Sequence, residues 1–177
     1  MNARSPVAVI LICGFTSLLL AQAPPAPPQP GPEHKKLEWL IGKWSAEAEI
    51  KANPYMPAGK GVSAQTYTLG PGGFYIESLT EGGQIPSTFG IIAFDSHAKA
   101  YTIFYASSIG LVGTGIGSVN GNTWTWMVED SFAGKLVKGR TTITMLSPIE
   151  STSKYEMADG KGGYITITEG KATKVGR

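Results

Sequence analysis

Residues that carry chemistry are scarce in this chain. It holds one cysteine, Cys13, and two histidines, His34 and His97. A single thiol excludes an internal disulfide and every multi-cysteine metal motif. Two histidines set far apart, with no cysteine beside them, do not make a zinc site. Both histidines read as solvated side chains, and neither a metal nor a cofactor is expected. Charge is low as well: 15 basic and 13 acidic residues leave a formal charge of +2. Such a mixed surface offers no basic stripe for nucleic acid or for an anionic membrane. Gly70-Pro71-Gly72-Gly73 runs from strand to strand rather than into a helix, so it reads as a turn and not as a phosphate cradle. Ser107-Ser108 lacks the glycine frame of a nucleophile elbow. Beyond a strand–turn rhythm there is no internal repeat.

The longest apolar run, Val7 to Leu20, lies near the start. Arg4 precedes it and Ala21-Gln22-Ala23 follows. A basic start, a short apolar run and small residues at this spacing read as a signal peptide over residues 1–23, hence a secreted or periplasmic protein. Cleavage after Ala23 leaves Pro24 first; cleavage after Ala21 leaves Gln22 first. Ile12 stands where a lipid-anchored Cys13 needs a small residue, so no lipid anchor is expected. Removal of the signal takes Cys13 and Arg4 with it, leaving 14 basic against 13 acidic residues and a charge of +1. No membrane attachment is then expected. Pro24 to Pro32 is proline-rich and reads as an extended linker, with residues 33–177 as one folded domain.

What remains is rich in glycine, with 23 residues, and in alternating β-type segments. One helical segment is expected, Glu33 to Ile41. Its Leu37, Leu40 and Ile41 share a face, Pro32 suits the first helical position, and Gly42 suits the stop. From Trp44 the chain alternates: Trp44, Ala46, Ala48 and Ile50 on the inward face, Ser45, Glu47, Glu49 and Lys51 outward. Further strands are expected at Val62–Leu69, Phe74–Thr80, Phe89–Phe94, Tyr101–Ala106, Leu111–Val119, Thr123–Val128, Val137–Met145, Thr152–Met157 and Tyr164–Thr168. About ten strands with short connections predict an all-β, antiparallel up-and-down barrel, since closure removes exposed edges. The short helix closes one end, with Trp44 against it.

Two hairpins fix finer expectations. A two-residue Asn120-Gly121 turn sets Gly117 opposite Trp124, Gly115 opposite Trp126 and Gly113 opposite Val128. Indole rings then cover glycines across the strand pair. A four-residue turn at Ser96-His97-Ala98-Lys99 sets Phe94 beside Tyr101, Ile92 beside Ile103 and Gly90 beside Tyr105. The other face of that hairpin, Phe89, Ile91 and Phe104, is also apolar. It needs a cover of its own: the short helix, or a second subunit in a homodimer.

Pro30-Gly31-Pro32-Glu33-His34, with Leu37, Leu40, Gly42 and Trp44 after it, resembles the opening of a secreted bacterial family whose domain has no known function. Gly90-Ile91-Ile92-Ala93-Phe94-Asp95 and Lys99-Ala100-Tyr101 resemble its central hairpin, and the similarity runs over most of Pro30 to Ile167. Gly42-Lys43-Trp44 after a helical turn is also similar to the entrance of lipocalin and other calycin barrels. The resemblance implies a lipocalin-like, calycin-type barrel. The family has no established catalytic residues, so no catalytic site is implied. Some calycin-like barrels hold haem through a late histidine; this chain has none after His97.

The residues best placed for function are aromatic. Tyr101, Tyr105, Trp124 and Trp126 either line a cavity for a small hydrophobic or amphipathic ligand or simply fill the core. Three functions follow in order: non-catalytic ligand binding, a structural or interaction module with a filled barrel, and an enzyme using interior carboxylates. For the last, Glu77, Glu81, Glu129 and Asp130 are the candidates, and all four read as facing water.

Overall fold

The computed structural model describes residues 26–53, 57–82 and 85–176. The expected signal peptide therefore lies outside the described residues. A short α1, Pro32–Lys35, passes directly into a 3-10 turn, Lys36–Leu40. Ten strands follow: β1 Gly42–Ile50, β2 Gly59–Leu69, β3 Tyr75–Gly82, β4 Thr88–Asp95, β5 Ala100–Ser107, β6 Val112–Asn120, β7 Thr123–Phe132, β8 Lys135–Ser147, β9 Glu150–Ala158 and β10 Tyr164–Gly176. Each pairs antiparallel with its chain neighbours, and β1 pairs with both β2 and β10, so the sheet closes into a barrel. The all-β, up-and-down expectation holds.

The expected helix is a hybrid rather than one continuous α-helix. Pro32 starts it, but only four residues are α before the chain tightens. Gly42 leaves with φ +126, a conformation that side chains other than glycine's resist. Leu37 and Leu40 enter the same buried cluster as Ile76, Ile92, Tyr101, Trp124 and Trp126. Full burial of one such leucine is worth about 1.5–3 kcal/mol, which the short segment needs to stay docked. Trp44 is buried beside it and donates its indole N–H to the Leu40 carbonyl at 2.7 Å. The plug and the first strand are thus joined at the barrel end.

The β4–β5 hairpin has the expected register: Phe94 opposes Tyr101, Ile92 opposes Ile103 and Gly90 opposes Tyr105. The β6–β7 hairpin corrects the other expectation. Asn120 pairs with Thr123, so the turn is Gly121-Asn122, with Gly121 at φ +58. Each partner moves by two residues. Gly117 opposes Trp126, Gly115 opposes Val128, and Gly113 opposes Asp130. A shift of two preserves which face each residue occupies. An indole does cover a glycine here: a Cβ on Gly117 would lie 2.5 Å from Trp126.

Outward, Phe89, Ile91 and Phe104 are exposed, as are Ile116 and Met127 on β6 and β7. The short helix does not cover them. It sits over the barrel end, where α1 meets β4 and the 3-10 turn meets β3.

Candidate functional site

The barrel interior changes character along its axis. At the plugged end it is packed with rings. Trp124 lies 4.7 Å from Tyr101 and 6.3 Å from Trp126, the two indoles nearly parallel. The Tyr101 hydroxyl donates to the Glu33 carboxylate at 2.6 Å, tying the strand to the plug. Burial first, then that bond, raises the Tyr101 phenol well above the usual tyrosine range. Glu33 is held below its ordinary value by Lys36 and then by Tyr101. His34, expected to be solvated, is half-buried. Its Nδ1 accepts from the Gly31 N–H at 3.1 Å, and its ring meets Phe74 and Phe94 edge-on. His97 is exposed on its turn, as expected.

Behind the rings lies an inner chamber of about 190 Å³, walled by Trp39, Trp124, Trp126, Ile103 and Tyr105 among others. Burial pushes the Tyr67 phenol on its wall up to about 12. The Trp39 indole N–H is buried with no hydrogen-bond partner among the described residues. Natural proteins leave few such donors.

At the opposite end the interior opens into a second chamber of about 300 Å³. Its walls are mainly apolar: Ile85, Pro86, Leu111, Val137, Met157 and Ile167, with exposed Ile109 on the rim. Ile167 sits at a bulge in β10, between Thr166 and Thr168, and is buried. A bulge re-aims a side chain that strict alternation would place elsewhere. Thr88, Tyr105 and Thr141 line both chambers, so Tyr105 stands at their junction.

One carboxylate occupies the wall of the larger chamber. Asp130 is 5% exposed. It accepts hydrogen bonds from two phenols, Tyr105 at 2.5 Å on Oδ1 and Tyr155 at 2.9 Å on Oδ2. Burial, then the bond to Asp130, drives the Tyr105 phenol far above the usual range, which keeps it a neutral donor. Two glycines make room for this group. A Cβ on Gly113 would lie 2.3 Å from Tyr105 and 2.5 Å from Asp130, and one on Gly139 would lie 2.5 Å from Tyr155.

The four aromatic residues singled out in the sequence all face inward, with different surroundings. Tyr105 joins the two chambers, Trp124 and Trp126 wall the inner one, and Tyr101 bonds to the plug. Asp130 and Tyr155 were not among them. Asp130 was read as facing water and is buried instead. The signal was present, since Trp124, Trp126, Val128 and Asp130 share one alternation. Glu129 does face outward, paired with Lys138 at 3.1 Å. Glu81 is exposed and Glu77 half-buried on the outward face of β3. The four carboxylates do not converge. Among the described residues no group of three metal-ligating side chains gathers, and no helix is long and apolar enough to cross a membrane.

Two further concavities lie outside the barrel. One, over β1, β2 and β8–β10, alternates Lys and Glu, including Glu47, Lys60, Lys154 and Lys171. The other is apolar, over β4–β8 and the start of β10, and includes Ile91, Phe104, Ile116, Met127 and Tyr164.

Among solved structures, the barrel is similar to that of Rv2717c from M. tuberculosis, with a TM-score of 0.63 at 14% identity, covering 82% of this chain and 98% of that one. It is also similar to the S-type phycobiliprotein lyase CPES from Guillardia theta, with a TM-score of 0.48 at 12% identity, covering 82% and 92%. At these identities the likeness concerns the fold alone. No curated protein matches the sequence. Residues 29–174 match the family described as protein of unknown function (DUF1579), and the chain belongs to that family.

Proposed function

We propose that this protein binds a small hydrophobic or amphipathic molecule inside its barrel, without catalysis, and does so after export. The observation that carries this reading is the pair of joined chambers, apolar over most of their walls and marked by one buried polar cluster, Asp130 with Tyr105 and Tyr155. Ligand sites have this composition, and about 300 Å³ is the lower end of their usual size. A filled barrel would leave no such space. The lipocalin-like, calycin-type reading of the sequence agrees with it, as does the apolar run Val7 to Leu20 for export to the periplasm or beyond. Catalysis has less support, because among the described residues that line either chamber Asp130 is the only carboxylate.

The test is a titration of the purified protein with dodecanoate, decanol, naphthalene and haem, followed by tryptophan emission. A ligand that fills the larger chamber and passes Tyr105 approaches Trp124 and Trp126. Emission then changes saturably, and Trp124→Phe and Trp126→Phe each alter the change while keeping an aromatic body in place. If all four compounds leave emission and protein mass unaltered, the reading fails.

A second reading has one observation of its own. The outward apolar groove with Phe104, Ile116 and Met127 is of the kind that marks interaction surfaces. A homodimer through that face would appear as a concentration-dependent mass in sedimentation, abolished by Ile116→Lys.

A further inference from the structure

The wall of the larger chamber is chemically one-sided. Asp130 is buried, and its partners are two neutral phenols. Among the described residues that line this chamber there is no lysine, arginine or histidine. The remaining polar lining is Asn53, Thr88, Ser107 and Thr141. A carboxylate has about four acceptor positions, and the two phenols use two of them. Burying such a group without a cation is costly, and natural proteins pair buried charges. Elsewhere in this chain the rule holds: Glu156, also largely buried, has both Arg140 at 2.7 Å and Lys154 at 2.9 Å.

The phenols themselves argue for a built arrangement. Tyr105 comes from β5 and Tyr155 from β9, on opposite sides of Asp130 on β7. Gly113 and Gly139 leave the space both rings require. Together they hold one carboxylate in a fixed orientation on the wall of an apolar chamber whose rim reaches solvent at Ile109.

Resting on the binding function proposed above, the geometry points to a ligand class: an amphipathic amine, whose protonated nitrogen meets Asp130 while its apolar body occupies the chamber. An ammonium group supplies the missing cation and donates to the free acceptor positions, and charge-assisted bonds of this kind are the stronger ones. A carboxylate-headed molecule of the same length would bring a second negative charge against Asp130 and is disfavoured. An alcohol can donate to Asp130 but brings no charge.

The experiment compares octylamine, octanol and octanoate by calorimetric titration at neutral pH, on the wild type and on Asp130→Asn. The expected result is octylamine binding about tenfold or more tighter than octanol, because both donate to the carboxylate but only the ammonium also neutralises its charge, with octanoate weakest. Asp130→Asn should weaken octylamine by about tenfold more than it weakens octanol, so that the preference for the amine disappears. The order of the three compounds is read on the wild type itself, so a poorly folding variant does not remove the test. Octanol binding as tightly as octylamine, or octanoate binding tightest, overturns the amine assignment while the binding function stands. A failure of all three to bind overturns both.

Discussion

Gly113→Ala is the substitution most directly aimed at the polar cluster. Gly113 on β6 lies between Tyr105 on β5 and Asp130 on β7, paired with each across the sheet. An added methyl would stand 2.3 Å from the Tyr105 ring and 2.5 Å from an Asp130 oxygen. No real Cβ tolerates either distance, so one or both side chains must move. If they stay, the overpacking costs about 1–3 kcal/mol. If the ring swings away, the clash is relieved but a hydrogen bond to a charged group is lost, at about 1.5–3 kcal/mol. These costs are largely alternatives rather than a sum. Replacing a strand glycine by alanine returns about 0.5–1 kcal/mol by restricting the unfolded chain. The net expectation is a loss of about 0.5–2.5 kcal/mol, read as a lower urea midpoint at unchanged slope. The same substitution in a Tyr105→Phe background should cost less, because the bond it breaks is already gone, with a coupling of about 0.5 kcal/mol or more. An unchanged midpoint, or a full cost that persists in the Tyr105→Phe background, would refute the reasoning.

Other consequences follow from the plug and from the expected signal peptide. Trp44→Ala should lower stability by about 3–5 kcal/mol, since the buried indole and its bond to Leu40 are both lost; an undetectable shift in a urea titration would mean the barrel end does not depend on it. Glu33 is held below 4.5 by Lys36 and Tyr101, so its contribution is complete above that value and declines as the pH falls through its lower folded value. Thermal midpoints measured below pH 4.5 should therefore fall more steeply for the wild type than for Glu33→Gln, and parallel curves would count against the Tyr101 tie. N-terminal sequencing of exported protein should begin at Pro24 or Gln22, and a product retaining Leu11 to Leu20 would remove the signal-peptide reading.

The parts of this structure that were legible in sequence are those set by local pattern. Alternation from Trp44 to Ile50 gave the inward face of β1, and Ser96 to Lys99 gave the β4–β5 register pair for pair. The β6–β7 turn slipped because both Asn120-Gly121 and Gly121-Asn122 are acceptable turn pairs, and a local preference does not choose between them. β10 runs to Gly176 rather than stopping at Thr168, because its inward residues there are Gly170 and Ala172, matched to Ala48 and Ala46 of β1. Small residues paired with small residues give little hydrophobic signal. Asp130 was missed for a different reason. An aspartate after an apolar run reads as a strand end, and what permits its burial are two tyrosines, each 25 residues away along the chain. That compensation exists only once the barrel has closed.

The most direct measurement of the central claim is native mass spectrometry of the protein purified from its own host, before and after incubation with octylamine. The account predicts one small molecule per chain, either carried from the host or acquired on incubation, and its loss or weakening in Asp130→Asn. A chain that emerges empty and gains no mass with octylamine, nor with octanol or octanoate added in its place, while its unfolding midpoint shows it to be intact, would contradict it.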